Sequence, residues 1–175
     1  MNLSPRSAFA AGAAVCAALL GFAYYLQYFQ HLDPCPLCYV QRWFFYGVLG
    51  VFLIAAIHRP RGRGALVYGI FVTLFAAGGV AAASRQVWLQ HLPADKVPQC
   101  GPDIFFMMKN FPLGDLLSKL VEGTGDCAKV DWSFLGLSIA GWSLVWFVAL
   151  AAYALWLGIR STGSAPATAA AAASR

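Results

Sequence analysis

The Cys-x-x-Cys unit Cys35-Pro36-Leu37-Cys38 offers the chain's most direct route to chemistry. A disulfide closing so small a ring constrains the unfolded chain little and stabilises little. At the start of a helix, by contrast, backbone N–H groups and the helix dipole favour the thiolate, so reactivity explains the motif better than stapling does. Arg42 lies four residues beyond Cys38. On a helix that spacing puts it on the same face, one turn deeper, where a fixed positive charge can stabilise a thiolate or the oxygen of a reduced acceptor. Its plainer role would be to anchor the helix among lipid headgroups.

The other three cysteines are Cys16, Cys100 and Cys127. Cys16 sits within a long apolar run, where a thiol is most simply a small packing residue. Cys100 and Cys127 lie far apart in sequence among polar or flexible neighbours, Gln99 and Gly101, Gly125 and Asp126. A disulfide between them would by default staple a loop, yet in a mobile loop it would also be open to exchange. Four cysteines outside the apolar run allow three pairings. One Cys-x-x-Cys with two widely spaced cysteines is a weak zinc signature, so no metal is expected.

The elements that must position these thiols are set by composition. Of 175 residues, 60% are hydrophobic and 11% charged, where a soluble domain carries about a quarter charged. Apolar stretches run from Ala8 to Phe29, Trp43 to Ile57, Gly64 to Ser84 and Ser133 to Ile159. A bilayer core of roughly 30 Å needs about 20 helical residues. The second stretch reaches that length if its helix begins near Cys38, which places Arg42 at the membrane surface, where it can snorkel to water. The first is too long for a signal-peptide core and ends in Tyr24, Tyr25, Tyr28 and Phe29, an interfacial belt. The reading is an all-α, polytopic four-helix bundle with spans over about 8–29, 39–57, 64–84 and 136–159.

Charge then orients the bundle. One face carries Arg6, Arg59, Arg61, Arg63, Arg160 and Arg175 and no acid; the other carries all seven acids, Asp33, Asp95, Asp103, Asp115, Glu122, Asp126 and Asp131, among six bases. Lys and Arg collect on the cytoplasmic side. Both termini are therefore expected in the cytoplasm, and the loops 30–38 and 85–132, with four cysteines, outside, where disulfides persist. The net charge of +5 is a topology signal and implies no nucleic-acid partner. The stretch from Asp103 to Val121 mixes large apolar residues with isolated charges and is broken by Pro112 and Gly114, which suits a short interfacial helix. Residues 161–175, Ala-rich, read as a disordered tail.

With these residues in view, the chain resembles the disulfide bond formation protein B family, DsbB, of bacterial inner-membrane thiol oxidases. The resemblance rests on Cys35-Pro-Leu-Cys38-Tyr-Val-Gln-Arg42-Trp43, Trp88-Leu89-Gln90, Gln99-Cys100, and Gly125-Asp126-Cys127 leading to Trp132-Ser-Phe-Leu-Gly-Leu137. It implies a DsbA-like periplasmic thiol oxidase as partner and the membrane quinone pool as acceptor, ubiquinone ahead of menaquinone. It also implies a relay: the partner's thiolate attacks Cys100 of a Cys100–Cys127 disulfide, Cys127 attacks Cys35, and the freed Cys38 passes electrons to the quinone beside Arg42. Some members carry a histidine near the quinone shortly before the second loop. Here that region reads Arg85-Gln86-Val-Trp-Leu-Gln90, and Gln90 and Arg85 are assigned to the site in its place. A vitamin K epoxide reductase-like enzyme, or a non-catalytic four-span scaffold with stapled loops, are the competing readings.

Overall fold

The computed structural model describes residues 5–98, 109–112, 114–115 and 123–163. Four long helices dominate: α1 (Pro5–Phe29), α2 (Pro36–His58), α3 (Arg63–Gln90) and α4 (Ile139–Gly163). All four are long and apolar enough to cross a membrane. At 1.5 Å per residue even the shortest, of 23 residues, spans about 35 Å.

Several boundaries differ from the sequence reading. α3 runs on through Gln90, so Arg85 and Gln90 belong to a helix and not to the following loop. Pro93 stops it, having no N–H to offer a continuing helix. α4 extends through Gly163, three residues into the segment read as tail. The remainder of that tail, Cys100 and most of the interfacial segment 103–121 lie outside the described residues.

The bundle core lies midway along the helices, around Phe9, Phe52, Phe147, Val48, Val72 and Cys16, all nearly or fully buried. Cys16 is thus a packing residue of α1. The broadest contact is between α3 and α4, whereas α1 and α4 touch little. Small residues set the close approach: a Cβ at Gly69 would sit 2.8 Å from the Ala154 carbonyl oxygen, and one at Gly158 would sit 2.8 Å from Leu66 Cα. Lipid supplies no hydrophobic drive between helices, so backbone proximity of this kind holds spans together by dispersion.

Two short features precede α4. A 3-10 turn, Gly125–Ala128, carries Cys127. A two-stranded antiparallel hairpin follows, β1 (Ser133–Phe134) and β2 (Leu137–Ser138), with Phe134 opposite Leu137. Its two connecting residues, Leu135 and Gly136, both have positive φ, at 52° and 80°, as a tight hairpin with the strands' right-handed twist requires.

Candidate active site

Cys35 caps the N-terminus of α2, with extended backbone at φ −65° and ψ 163°, and Pro36 occupies the first helical turn. Proline is favoured there because the missing N–H has no intrahelical partner to lose. The Cys35 carbonyl accepts from the Cys38 and Tyr39 N–H groups at 3.0 and 3.3 Å. Cys38 therefore sits in the first turn of α2, and its Sγ lies 2.8 Å from the Sγ of Cys35.

Cys127 reaches the same place from the opposite end of the chain. Its 3-10 turn packs against α3 and α2, and Cys127, fully buried, clusters with Leu37 and Leu89 beside Cys35. Gly123 makes this seat possible: its φ is +76°, and a Cβ there would sit 2.6 Å from Leu89 Cδ1. Cys127 accepts a hydrogen bond from the Cys35 thiol, and this, with the Leu37 and Thr124 backbone N–H groups and the Thr124 hydroxyl, outweighs burial and lowers its pKa from 9.0 to about 6. The Cys35 thiol is pushed the other way, because it donates to Cys127, lies against Cys38 and is buried. The result is a row of three unbonded sulfurs, Cys127, Cys35 and Cys38, with Cys35 in the middle.

Two of these sulfurs, those of Cys35 and Cys38, line a cavity of about 610 Å³, with Cys127 behind them. Its walls come from α1 and α4 at the place where those helices barely meet, with Leu19, Leu20, Phe22, Leu26, Trp142 and Trp146 giving an apolar lining. Its polar lining comes from Cys35, Cys38, Gln41, Arg42, Gln86 and Gln90, and from the charged residues Asp33, Asp126, Lys129 and Asp131. Apolar lining with a few convergent polar groups is the usual design of a small-molecule site.

Arg42 is held by α1. Its guanidinium donates to Gln27 Oε1 and, at 3.1 Å, to the Ala23 carbonyl oxygen, and it lies 4.9 Å from the centre of the Tyr24 ring and 5.7 Å from that of Tyr39. That clamp fixes a cation on the wall that also carries Cys38. Gln90 lines the cavity too, and its Oε1 accepts from Ser138 Oγ at 2.7 Å. The same Ser138 Oγ accepts from the Gly141 N–H at 3.2 Å, so Gln90 ties the end of α3 to the N-cap of α4. Arg85 is placed elsewhere: it lies over the Trp88 ring at 4.4 Å and does not line the cavity.

Two residues not singled out from the sequence complete the site. Gln86 and Gln41 are 4% and 3% exposed, among the few buried polar side chains described. Gln86 Nε2 lies 3.3 Å from both Cys35 Sγ and Cys38 Sγ, and its Oε1 accepts from Gln41 Nε2 at 2.6 Å.

Comparison with known proteins now decides the family. The model of the family "Disulfide bond formation protein DsbB" matches residues 5–157. The chain belongs to the DsbB family. Relatives named "Disulfide bond formation protein B" include one from Methylococcus capsulatus, 50% identical over 152 residues that cover 87% of this chain and 93% of the relative. Another, from Nitrosococcus oceani, is 46% identical over 165 residues, covering 94% and 98%. A third, from Hahella chejuensis, is 51% identical over 136 residues, covering 78% and 82%. With its four apolar helices, this DsbB-family chain is a multi-pass membrane protein whose function is in disulfide bond formation. The vitamin K epoxide reductase reading gives way to this assignment.

Proposed function

We propose that the chain is a thiol:quinone oxidoreductase of the bacterial inner membrane that reoxidises a DsbA-like periplasmic dithiol oxidase. The single observation that carries this reading is the row of sulfurs Cys127, Cys35 and Cys38 ending at an apolar cavity with an arginine on its wall.

Each exchange step conserves thiols and disulfides. A thiolate of the reduced partner attacks Cys100 in a Cys100–Cys127 disulfide, forming a mixed disulfide and releasing Cys127 as a thiolate. Cys127 attacks Cys35 in the Cys35–Cys38 disulfide, and Cys38 leaves as a thiolate. The partner's second thiol resolves the mixed disulfide, so the partner departs oxidised, with its electron pair left on the chain. Cys100 then attacks Cys127, restoring the first disulfide and freeing Cys35 to re-form its bond with Cys38. The acidity of Cys127 suits both its nucleophilic and leaving roles.

A quinone, ubiquinone ahead of menaquinone, supplies the acceptor for two electrons and two protons that the protein's own side chains lack. Cys38, Arg42 and Gln90 would face its polar end and Phe22, Leu26 and Trp142 its apolar part. The basic loop between α2 and α3 supports cytoplasmic termini and periplasmic cysteines.

The test is reduction of a soluble quinone analogue by a reduced DsbA-like partner and purified chain. Activity is expected in the parent chain and loss of at least a hundredfold in Cys38→Ser. A reduced partner whose second cysteine is replaced by alanine should attack the Cys100–Cys127 disulfide and stay trapped as a mixed disulfide with Cys100, because nothing then resolves it, and quinone identity follows from solvent extraction of the purified protein. A stapled scaffold predicts no mixed disulfide and no reduction, and that result would overturn the reading.

A further inference from the structure

Burying two amide side chains at the end of a membrane bundle is costly unless their groups are satisfied. Leu or Met would fill the same volume at no such cost. The Gln86 amide nevertheless lies with Nε2 at 3.3 Å from two sulfurs, one N–H available for each. A neutral thiol or a disulfide is a weak acceptor for such donors, whereas a thiolate is a strong one. Gln86 Oε1 lies 3.6 Å from Cys38 Sγ and can take the proton of a neutral thiol, so the arrangement is matched to the reduced pair, as thiolate or thiol, and poorly matched to the disulfide.

Gln41 supplies the orientation. Its Nε2 donates to Gln86 Oε1 at 2.6 Å, which fixes the amide with its amino end toward both sulfurs, while the same oxygen can still accept from the Cys38 thiol. Turning Gln86 alone would set two amino groups against each other. Gln41 sits one turn along α2 from Cys38, and Gln86 lies on the buried stripe of α3 that includes Ala83 and Leu89. Two rigid helices thus carry the device.

We propose that Gln86, locked by Gln41, is a positioning residue for the Cys35–Cys38 pair, its amide donating to both sulfurs at once and stabilising their reduced form at the head of the cavity. The proposal rests on the reading that this pair cycles between dithiol and disulfide. A neutral donor does so without adding a charge beside the thiols, whereas the charge of Arg42 is clamped to α1.

The test uses the full chain with Cys100→Ser and Cys127→Ser, equilibrated with glutathione: dithiol plus glutathione disulfide gives chain disulfide plus two glutathione thiols. Acid quenching, alkylation and intact mass read the ratio. Gln86→Met should shift the equilibrium toward disulfide about tenfold, equivalent to about 30 mV. Gln41→Met should shift it about threefold, and the double variant no further than Gln86→Met alone, because Gln41 acts through Gln86. A shift under twofold in Gln86→Met, or additive shifts in the double variant, overturns the proposal. Should Gln86→Met fail to fold, Gln41→Met decides alone: a threefold shift supports the proposal and an unchanged ratio overturns it. Since neither quinone nor partner enters this measurement, failure of the parent chain to reduce quinone would sink the proposed activity separately.

Discussion

The acidity of Cys127 comes chiefly from the thiol of Cys35, so the two residues must titrate together. With a pKa lowered from 9.0 to about 6, Cys127 is mostly thiolate at neutral pH and becomes protonated only as pH falls through about 6. In the chain with its disulfides reduced, alkylation of Cys127 by iodoacetamide should therefore hold its rate from pH 8 to 7 and lose about tenfold between pH 7 and 5, since protonation removes the nucleophile. Cys35→Ala takes away the largest cause of the shift, and its profile should move upward toward that of an ordinary thiol. An identical profile in both chains would show that the remaining donors suffice. Arg42 makes a second prediction. Its planar fork serves Gln27 and the Ala23 carbonyl together, a geometry that a lysine ammonium cannot reproduce. Arg42→Lys should raise the KM for a quinone analogue about tenfold, in keeping with loss of one charge-assisted hydrogen bond of roughly 1.5–3 kcal/mol, while leaving disulfide exchange with the partner unchanged. Steady-state kinetics with each substrate varied in turn would separate the two effects.

At the level of helices and turns, Gly123 is the position on which the seat of Cys127 depends. Alanine there would have to hold φ near +76° and keep its Cβ clear of Leu89. Backbone strain of this kind costs about 1–3 kcal/mol, and the turn would relieve it by moving off α3. Gly123→Ala should slow formation of the Cys35–Cys127 disulfide at least tenfold, followed by gel shift after partial oxidation, with little change in helix content. Little of this seat could be read beforehand, because a positive φ at one glycine and a 3-10 turn leave no periodic trace. The helices themselves were legible, since an uncharged apolar run of about 20 residues matches the thickness of a bilayer core and satisfies its own backbone only as a helix. The buried glutamines were legible in principle. Leu37, Gln41, Phe45, Val48 and Phe52 form one buried stripe on α2, and Ala76, Gly79, Ala83, Gln86 and Leu89 another on α3. A polar residue interrupting such a stripe is a signal in itself. Gln90 and Arg85 were assigned to the site from the resemblance, in the region where some family members carry a histidine, yet only Gln90 lines the cavity, because Arg85 lies over the Trp88 ring. The hairpin was hidden for a related reason: two strands of two residues each are too short for alternation to appear.

Viewed as a whole, the molecule separates its charges by face, and the proposed relay depends on that separation. Arg59, Arg61 and Arg63 follow α2 with no acid beside them, while Asp33, Asp126 and Asp131 line the cavity end that carries the sulfurs. Basic residues within a short loop resist translocation, whereas acids contribute little to orientation. The short loop between α2 and α3 should therefore dominate the topology, and the sulfurs should face the periplasm because this loop stays in the cytoplasm. A membrane-impermeant maleimide added to intact spheroplasts after mild reduction should label Cys127, in a chain where Cys35, Cys38 and Cys100 are serine. Both thiols are buried, but Cys16 lies inside a membrane-spanning helix and should stay unlabelled, whereas Cys127 sits on a short 3-10 turn that local opening exposes to water. Replacing Arg59, Arg61 and Arg63 together by glutamate should lower Cys127 labelling in spheroplasts severalfold and expose it in inverted vesicles, as part of the population inserts the other way. Labelling of the parent chain from the cytoplasmic side alone would place the thiols in a reducing compartment, where a disulfide generator would have no oxidised product to maintain.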